Sequence, residues 1–118
     1  MADGEVTQVV WEGDSLDVIP SFPKKVRSYL GADLHRLQLG DMPLDSRPMK
    51  SIGKRVFELR QQDAGGWYRL VYLAKIENAI YVLHCFAKQS RKTPQRELET
   101  ATARLKNVMT RIRTRKNT

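Results

Sequence analysis

The residues best suited to chemistry in this sequence are cations set inside apolar runs or at their ends. Arg60 closes "FELR", Arg69 lies within "WYRLVYL", and Lys88 ends "AIYVLHCFAK", with Arg91 and Lys92 just beyond it. A guanidinium fork matches two phosphate oxygens at once, and a lysine ammonium supplies a point charge. Arg69 makes the strongest demand, because its neighbours on one strand face are Trp67, Val71 and Leu73, and a charge there is costly unless paired or steered to a rim. Two readings stand side by side for it: a salt bridge to Glu58 or another strand acid, and a contact to a phosphate. For Arg60, Lys88, Arg91 and Lys92 the choice lies between a sheet surface that gathers anions and a solvated basic rim.

His84 has the right chemistry for a general base near neutral pH, but a lone histidine in an apolar strand more often fills a hydrogen-bonded core position. Trp67 and Tyr68 could stack on bases, although filling the core is the commoner use of such residues. There is no histidine pair, no metal-ligand cluster and no glycine loop that would cradle a phosphate. Zinc enzymes and nucleotide-binding folds are therefore set aside, and neither a metal nor a cofactor is expected. Cys85 is the only cysteine and sits in a strand-like run, which suits a buried, inert thiol.

The whole chain shares the bias of these segments. Its 21 Lys and Arg outnumber 13 Asp and Glu, a formal charge of +8 that favours RNA, DNA, an anionic membrane or an acidic protein as partner. At 118 residues and 41% hydrophobic, one domain over residues 1–118 is expected. The N-terminus carries acids in place of a basic leader, and no apolar stretch approaches the roughly 18 residues of a spanning helix. A cytoplasmic protein without membrane contact is expected.

Positioning the cations requires a sheet. "VFELRQQ", "WYRLVYLAKI" and "AIYVLHCFAK" read as three strands, joined by Asp63 with Gly65-Gly66 and by Glu77-Asn78, and so as an antiparallel meander. In the last run Ile80, Val82, His84 and Phe86 alternate with Tyr81, Leu83, Cys85 and Ala87, which predicts a central strand largely buried on both faces. Val6 to Trp11 suits a first strand, and Asp14 is placed to cap a short helix through Ile19. Val26, Tyr29, Leu30, Leu34 and Leu37 predict a helix from Pro23, closed by Gly40. "GDMPLDSRPMKSIGKR" reads as a connecting loop. Thr93-Pro94 then predicts the N-cap and first turn of a C-terminal helix whose inner face is Leu98, Ala101, Leu105, Val108, Met109 and Ile112.

Taken in order, "VVWEGDSLDVIPSFPKKVRSYLGADLHRLQLGDMPL", "FELR", "WYRLVYL", "LHCFAKQSRKTP" and "ELETATARL" resemble the phage-derived Gp49-like, HigB-type toxins of the RelE/ParE superfamily, from about Thr7 to Leu105. The resemblance implies an α+β fold, an antiparallel sheet packed against N-terminal helices and a C-terminal helix. It implies the toxin of a type II toxin–antitoxin pair, partnered by a helix-turn-helix antitoxin and cutting mRNA on the ribosome without a metal. By that likeness Arg69 contacts the phosphate or transition state, Lys88 is the strand-end cation and Arg60 a neighbour. Similar sequences carry a second lysine where this chain has Gln89, and a small residue where it has Arg55 beside Lys54. Arg55, Arg91 and Lys92 are then expected on RNA backbone, and Lys54 and His84 are the candidates for a general base. Two other functions remain open, a ParE-like DNA gyrase inhibitor and a non-catalytic, phage-derived nucleic-acid-binding protein.

Overall fold

A computed structural model describes residues 6–116; the first five residues and the last two of "RIRTRKNT" lie outside that range. The fold is mixed α+β. In chain order the elements are β1 (Gln8–Trp11), α1 (Ser15–Val18) with a 3-10 turn at Ile19–Ser21, α2 (Lys24–Gln38), β2 (Ser46–Pro48), β3 (Val56–Asp63), β4 (Gly66–Ile76), β5 (Ala79–Lys88) and α3 (Gln95–Lys116). The strands form one sheet in the order β1-β5-β4-β3-β2.

Strand alternation sends apolar side chains to both faces of this sheet. Leu59, Tyr68, Leu70, Tyr72, Ile80 and Val82 meet Phe22, Val26, Leu30 and Leu34 of the α2 side. Val71, Leu73, Tyr81, Leu83 and Phe86 meet Ala101, Val108 and Ile112 of α3 on the other. Each buried leucine, isoleucine or phenylalanine contributes about 1.5–3 kcal/mol, so the two layers together hold the sheet between the helices. Among the described residues no helix is long and apolar enough to cross a membrane.

β3, β4 and β5 form the expected antiparallel meander. The β3–β4 turn returns between Asp63 and Gly66, where the Asp63 carboxylate accepts the Gly65 N–H at 2.8 Å. Gly66 has φ +147, and a Cβ there would stand 2.8 Å from the Lys88 carbonyl, so the close approach of β4 to the end of β5 requires glycine. The β4–β5 turn uses left-handed Glu77 and Asn78.

Several expectations need correction. β1 joins β5 in parallel, which makes the sheet mixed and gives central β5 a partner on each side. The segment read as a plain loop contains β2, paired antiparallel to β3. Buried Asp33 anchors it, its carboxylate accepting the Leu44 N–H at 2.9 Å, while the Arg60 N–H donates to the Asp45 carbonyl. Tyr29 and Met109 are 47% and 40% exposed; they fall at the margins of their helix faces.

The alternation of β5 breaks midway. Tyr72 pairs with Val82 but Val71 pairs with His84, so Leu83 and His84 together oppose a single step of β4. Beyond this bulge Cys85 joins Ile80 and Val82 on the α2 face, while Phe86 joins Tyr81 and Leu83 on the α3 face. Ala87 is exposed.

Two capping expectations also change. Asp14 occupies the N-cap position of α1 without a side-chain cap, because its carboxylate accepts Arg104 Nη2 at 2.9 Å. α3 begins at Gln95, with the Pro94 carbonyl accepting the Glu97 and Leu98 N–H groups, and the Thr93 hydroxyl accepts from Lys88 instead of capping the helix.

Candidate functional site

On the α3 face the sheet is apolar where Val71, Leu73, Leu83 and Phe86 meet the helix, and polar towards the end where β5 stops. Alternation along β3 puts Glu58, Arg60 and Gln62 on this face. Arg60 stands opposite Arg69, Gln62 opposite Trp67, and Trp67 in turn opposite Lys88. Directly paired residues present their side chains on one side of a sheet, so β3, β4 and β5 deliver these groups to one surface. β2 adds Arg47, opposite Glu58.

Like charges directly opposed across a ladder destabilise it. Here Glu58 relieves the conflict: its Oε1 lies 3.8 Å from Arg60 Nε and its Oε2 lies 3.4 Å from Arg69 Nε. The relief is partial. Glu58 Oε2, Arg60 Nε and Arg69 Nε are all buried without a hydrogen-bond partner, and Arg69 Nη1 makes one bond, to the Tyr68 carbonyl at 3.2 Å. Arg69 is 4% exposed. Burial pushes its pKa below the ordinary arginine value, Glu58 opposes that shift, and Arg60 and Arg47 reinforce it. The salt-bridge reading of Arg69 is thus met by Glu58, and the side chain is ion-paired yet left with unused donors.

Lys88 is 6% exposed, and burial together with Arg69 and Arg60 pushes its pKa below that of a free lysine, against the pull of Glu58. Its ammonium donates to the Arg91 carbonyl at 2.7 Å and to Thr93 Oγ1 at 2.9 Å. Gln89 Nε2 donates to the Gly65 carbonyl at 3.0 Å, joining the loop after β5 to the β3–β4 turn. These bonds fold the loop over the cluster, and Arg91 lines a cavity of about 280 Å³ with Arg60, Gln62, Trp67 and Arg69. A smaller hollow of about 100 Å³ shares four of those residues and adds Asp45 and Gln61. Lys92 is exposed on the same loop.

The structure therefore gathers Arg60, Arg69, Lys88 and Arg91 and leaves three other candidates elsewhere. Lys54 and Arg55 lie before β3, near Ala74 and Lys75 at the far end of β4: the Arg55 carbonyl accepts the Ala74 N–H, and its guanidinium donates to the Lys75 carbonyl. With Pro48, Lys50 and Phe57 they line a separate cavity of about 430 Å³. His84 is buried under α3. Arg104 Nη1 lies 3.2 Å from its Nδ1, and since arginine only donates, Nδ1 is the acceptor and Nε2 carries the proton, donating to Glu97 at 2.8 Å. Both ring nitrogens are engaged within the fold.

Glu58, Gln62 and Arg47 complete the site. Glu58 is the strand acid expected as an ion-pair partner of Arg69, Gln62 could have been read from its period-two spacing with Arg60, and Arg47 is visible only once β2 is known to pair with β3. Among the described residues no three His, Cys, Asp or Glu side chains are grouped to hold a metal ion. The Cys85 thiol is buried, its pKa pushed up to about 12 chiefly by desolvation, so it is not a nucleophile.

A family model of phage-derived Gp49-like proteins matches residues 17–106. That span contains β2 to β5, every member of the cation cluster and the first half of α3. No curated protein matches the chain.

Proposed function

The chain belongs to the phage-derived Gp49-like protein family, and from that premise we propose that it is the toxin of a type II toxin–antitoxin pair, of RelE/ParE-like fold, that cuts mRNA on the ribosome. The observation that carries this reading is the opposed Arg60–Arg69 pair, short of acceptors and facing a polar cavity. One carboxylate serves two guanidinium groups with Lys88 close by, so an incoming phosphate supplies the oxygens that the buried N–H groups lack.

In the reaction the RNA 2′-oxygen bonds to the adjacent phosphorus and the P–O5′ bond breaks, leaving a 2′,3′-cyclic phosphate and a 5′-hydroxyl. The pentacoordinate centre carries extra negative charge, and preorganised donors act most strongly where charge develops in a site partly closed to water. Arg69 and Arg60 hold the non-bridging oxygens. Lys88, made more acidic by burial and by Arg69, is the proton donor for the departing 5′-oxygen. His84 takes no part, and the 2′-hydroxyl proton passes to solvent. Arg91 and Lys92 bind RNA backbone at the rim, and Lys54 and Arg55 contact ribosomal RNA from the other end of the sheet.

A helix-turn-helix antitoxin completes the pair. Because Arg69 and Lys88 are already buried, it silences the toxin by closing the cavity mouth beside Arg91 and Trp67. The deciding experiment incubates the purified protein with translating ribosomes and maps new mRNA 5′ ends. Discrete cuts that vanish in Arg69→Ala support the reading. Intact mRNA with blocked gyrase supercoiling assigns the protein to the gyrase inhibitors instead.

A further inference from the structure

Beside the arginine cluster lies a pair of side chains that the phosphate chemistry does not use. Trp67 and Gln62 stand directly opposite each other on β4 and β3, on the face that carries Arg60 and Arg69, and both line the two cavities there. Trp67 is half-buried, and among the described residues its indole stacks on no other ring. Its sequence neighbour Tyr68 does the opposite, packing edge-on against Phe22 in the α2 layer at 5.1 Å between ring centroids. The core thus takes one aromatic of the "WY" pair, and the cavity takes the other. Gln62 is exposed, and its amide bonds to no other group among the described residues.

We propose that Trp67 and Gln62 form a base-binding subsite next to the phosphate cluster, taking one unstacked base of single-stranded RNA, with adenine preferred. The proposal rests on the RNA-cutting reading for its substrate. Every base has a face that can stack on an indole, so Trp67 supplies affinity for bases in general. A carboxamide pairs with the donor and acceptor of adenine N6 and N7 together, so Gln62 supplies the preference. Arg60, on the strand of Gln62, and Arg69, on the strand of Trp67, hold the phosphate attached to that nucleotide. Duplex RNA is excluded, because its bases offer no free face.

The test uses the full-length protein with Trp11→Phe, which leaves Trp67 as the one tryptophan of the two in the chain. Its fluorescence is followed as 2′-O-methyl tetranucleotides of A, C or U are added, which cannot be cut for want of the attacking hydroxyl, alongside an abasic oligomer of equal charge. The expected result is quenching by the base-bearing oligomers only, with tighter binding than the abasic one. Trp67→Leu, which has lost that reporter and is followed by the fluorescence anisotropy of 5′-labelled oligomers, removes that advantage, roughly tenfold or more in affinity, as loss of one stacked base implies. Gln62→Ala, an exposed change that spares the core, lowers binding of the A oligomer to that of C and U. An unaltered ratio of base-bearing to abasic affinity in Trp67→Leu, or parental adenine preference in Gln62→Ala, overturns the subsite. The two readings fail separately: absence of ribosomal cleavage with Trp67 quenching intact removes the enzyme, and cleavage with unchanged ratios removes only the subsite.

Discussion

Arg60 and Arg69 face each other across the β3–β4 ladder and lean on the single carboxylate of Glu58, at 3.8 and 3.4 Å. Removing members of this trio should have unequal effects. Arg69→Met leaves Glu58 paired with Arg60, ends the like-charge opposition and lets an apolar chain lie beside Val71 and Phe86. Its unfolding free energy should stay within about 1 kcal/mol of the parent or rise. Glu58→Gln leaves the arginines and Lys88 facing one another and should cost about 3 kcal/mol. Urea unfolding at neutral pH measures both, and an Arg69→Met protein as damaged as Glu58→Gln would show the arginine to be a structural partner.

Activity should follow the reverse order of stability. Loss of one preorganised donor to the transition state costs about 3 kcal/mol, a hundredfold or more in rate. Arg69→Met should therefore cut mRNA at least that much more slowly in a ribosome-dependent assay while melting no lower than the parent. Parental cleavage by a well-folded Arg69→Met would remove Arg69 from the chemistry.

How much of the fold and of the site is legible in the sequence depends on the element. The meander and its turns follow from local alternation and from Asp63, Gly66 and Asn78, so Arg60, Arg69 and Lys88 could be grouped from sequence. The parallel pairing of β1 with β5 is a long-range choice that "TQVVW" does not encode locally. β2 is three residues, Ser-Arg-Pro, held by the Asp33 carboxylate and a bond to the Asp45 carbonyl, neither of which has a signature in the loop. The β5 bulge moves Cys85 and Phe86 to the faces opposite those that simple alternation assigns. The N-cap signal of Thr93 goes unused because the ammonium of Lys88, five residues earlier, takes its hydroxyl as acceptor.

The depressed pKa of Lys88 makes stability depend on alkaline pH. Below its folded-state pKa both folded and unfolded chains bind the proton, and the desolvation cost is present in full. Between that value and the ordinary lysine value the unfolded chain binds more protons, so the parent gains stability as pH rises. Lys88→Met lacks this gain. Unfolding curves from pH 7 to 10 should show the parent improving relative to the variant, and a constant difference across the range would mean that the buried ammonium carries no such shift.

Arg91 lies at the rim of the cavity, where its charge is solvated. Arg91→Ala should leave the melting temperature unchanged and weaken single-stranded RNA binding equally for all sequences. It should also reduce the salt dependence, lowering the slope of log K against log salt by about 0.7 for one lost phosphate contact. A variant that changed base preference instead would place Arg91 on a base edge.

His84 offers the sharpest separation between a structural and a catalytic role, because its geometry leaves it nothing to give a substrate. Nδ1 accepts from Arg104 and Nε2 donates to Glu97, so the ring ties β5 to two turns of α3, and Arg104 extends the tie to Asp14 beside α1. The ring also stacks on Phe86 at 5.3 Å between centroids. His84→Ala strips partners from a part-buried carboxylate and guanidinium and opens a gap beside Phe86, which should cost about 2 kcal/mol. The folded fraction should nevertheless cut mRNA at the parental rate, with an unchanged pH profile near neutrality. A variant that melts with the parent but has lost cleavage, or the limb of its pH profile near neutral, would make His84 the general base and would require the Arg104 and Glu97 contacts to open when RNA binds.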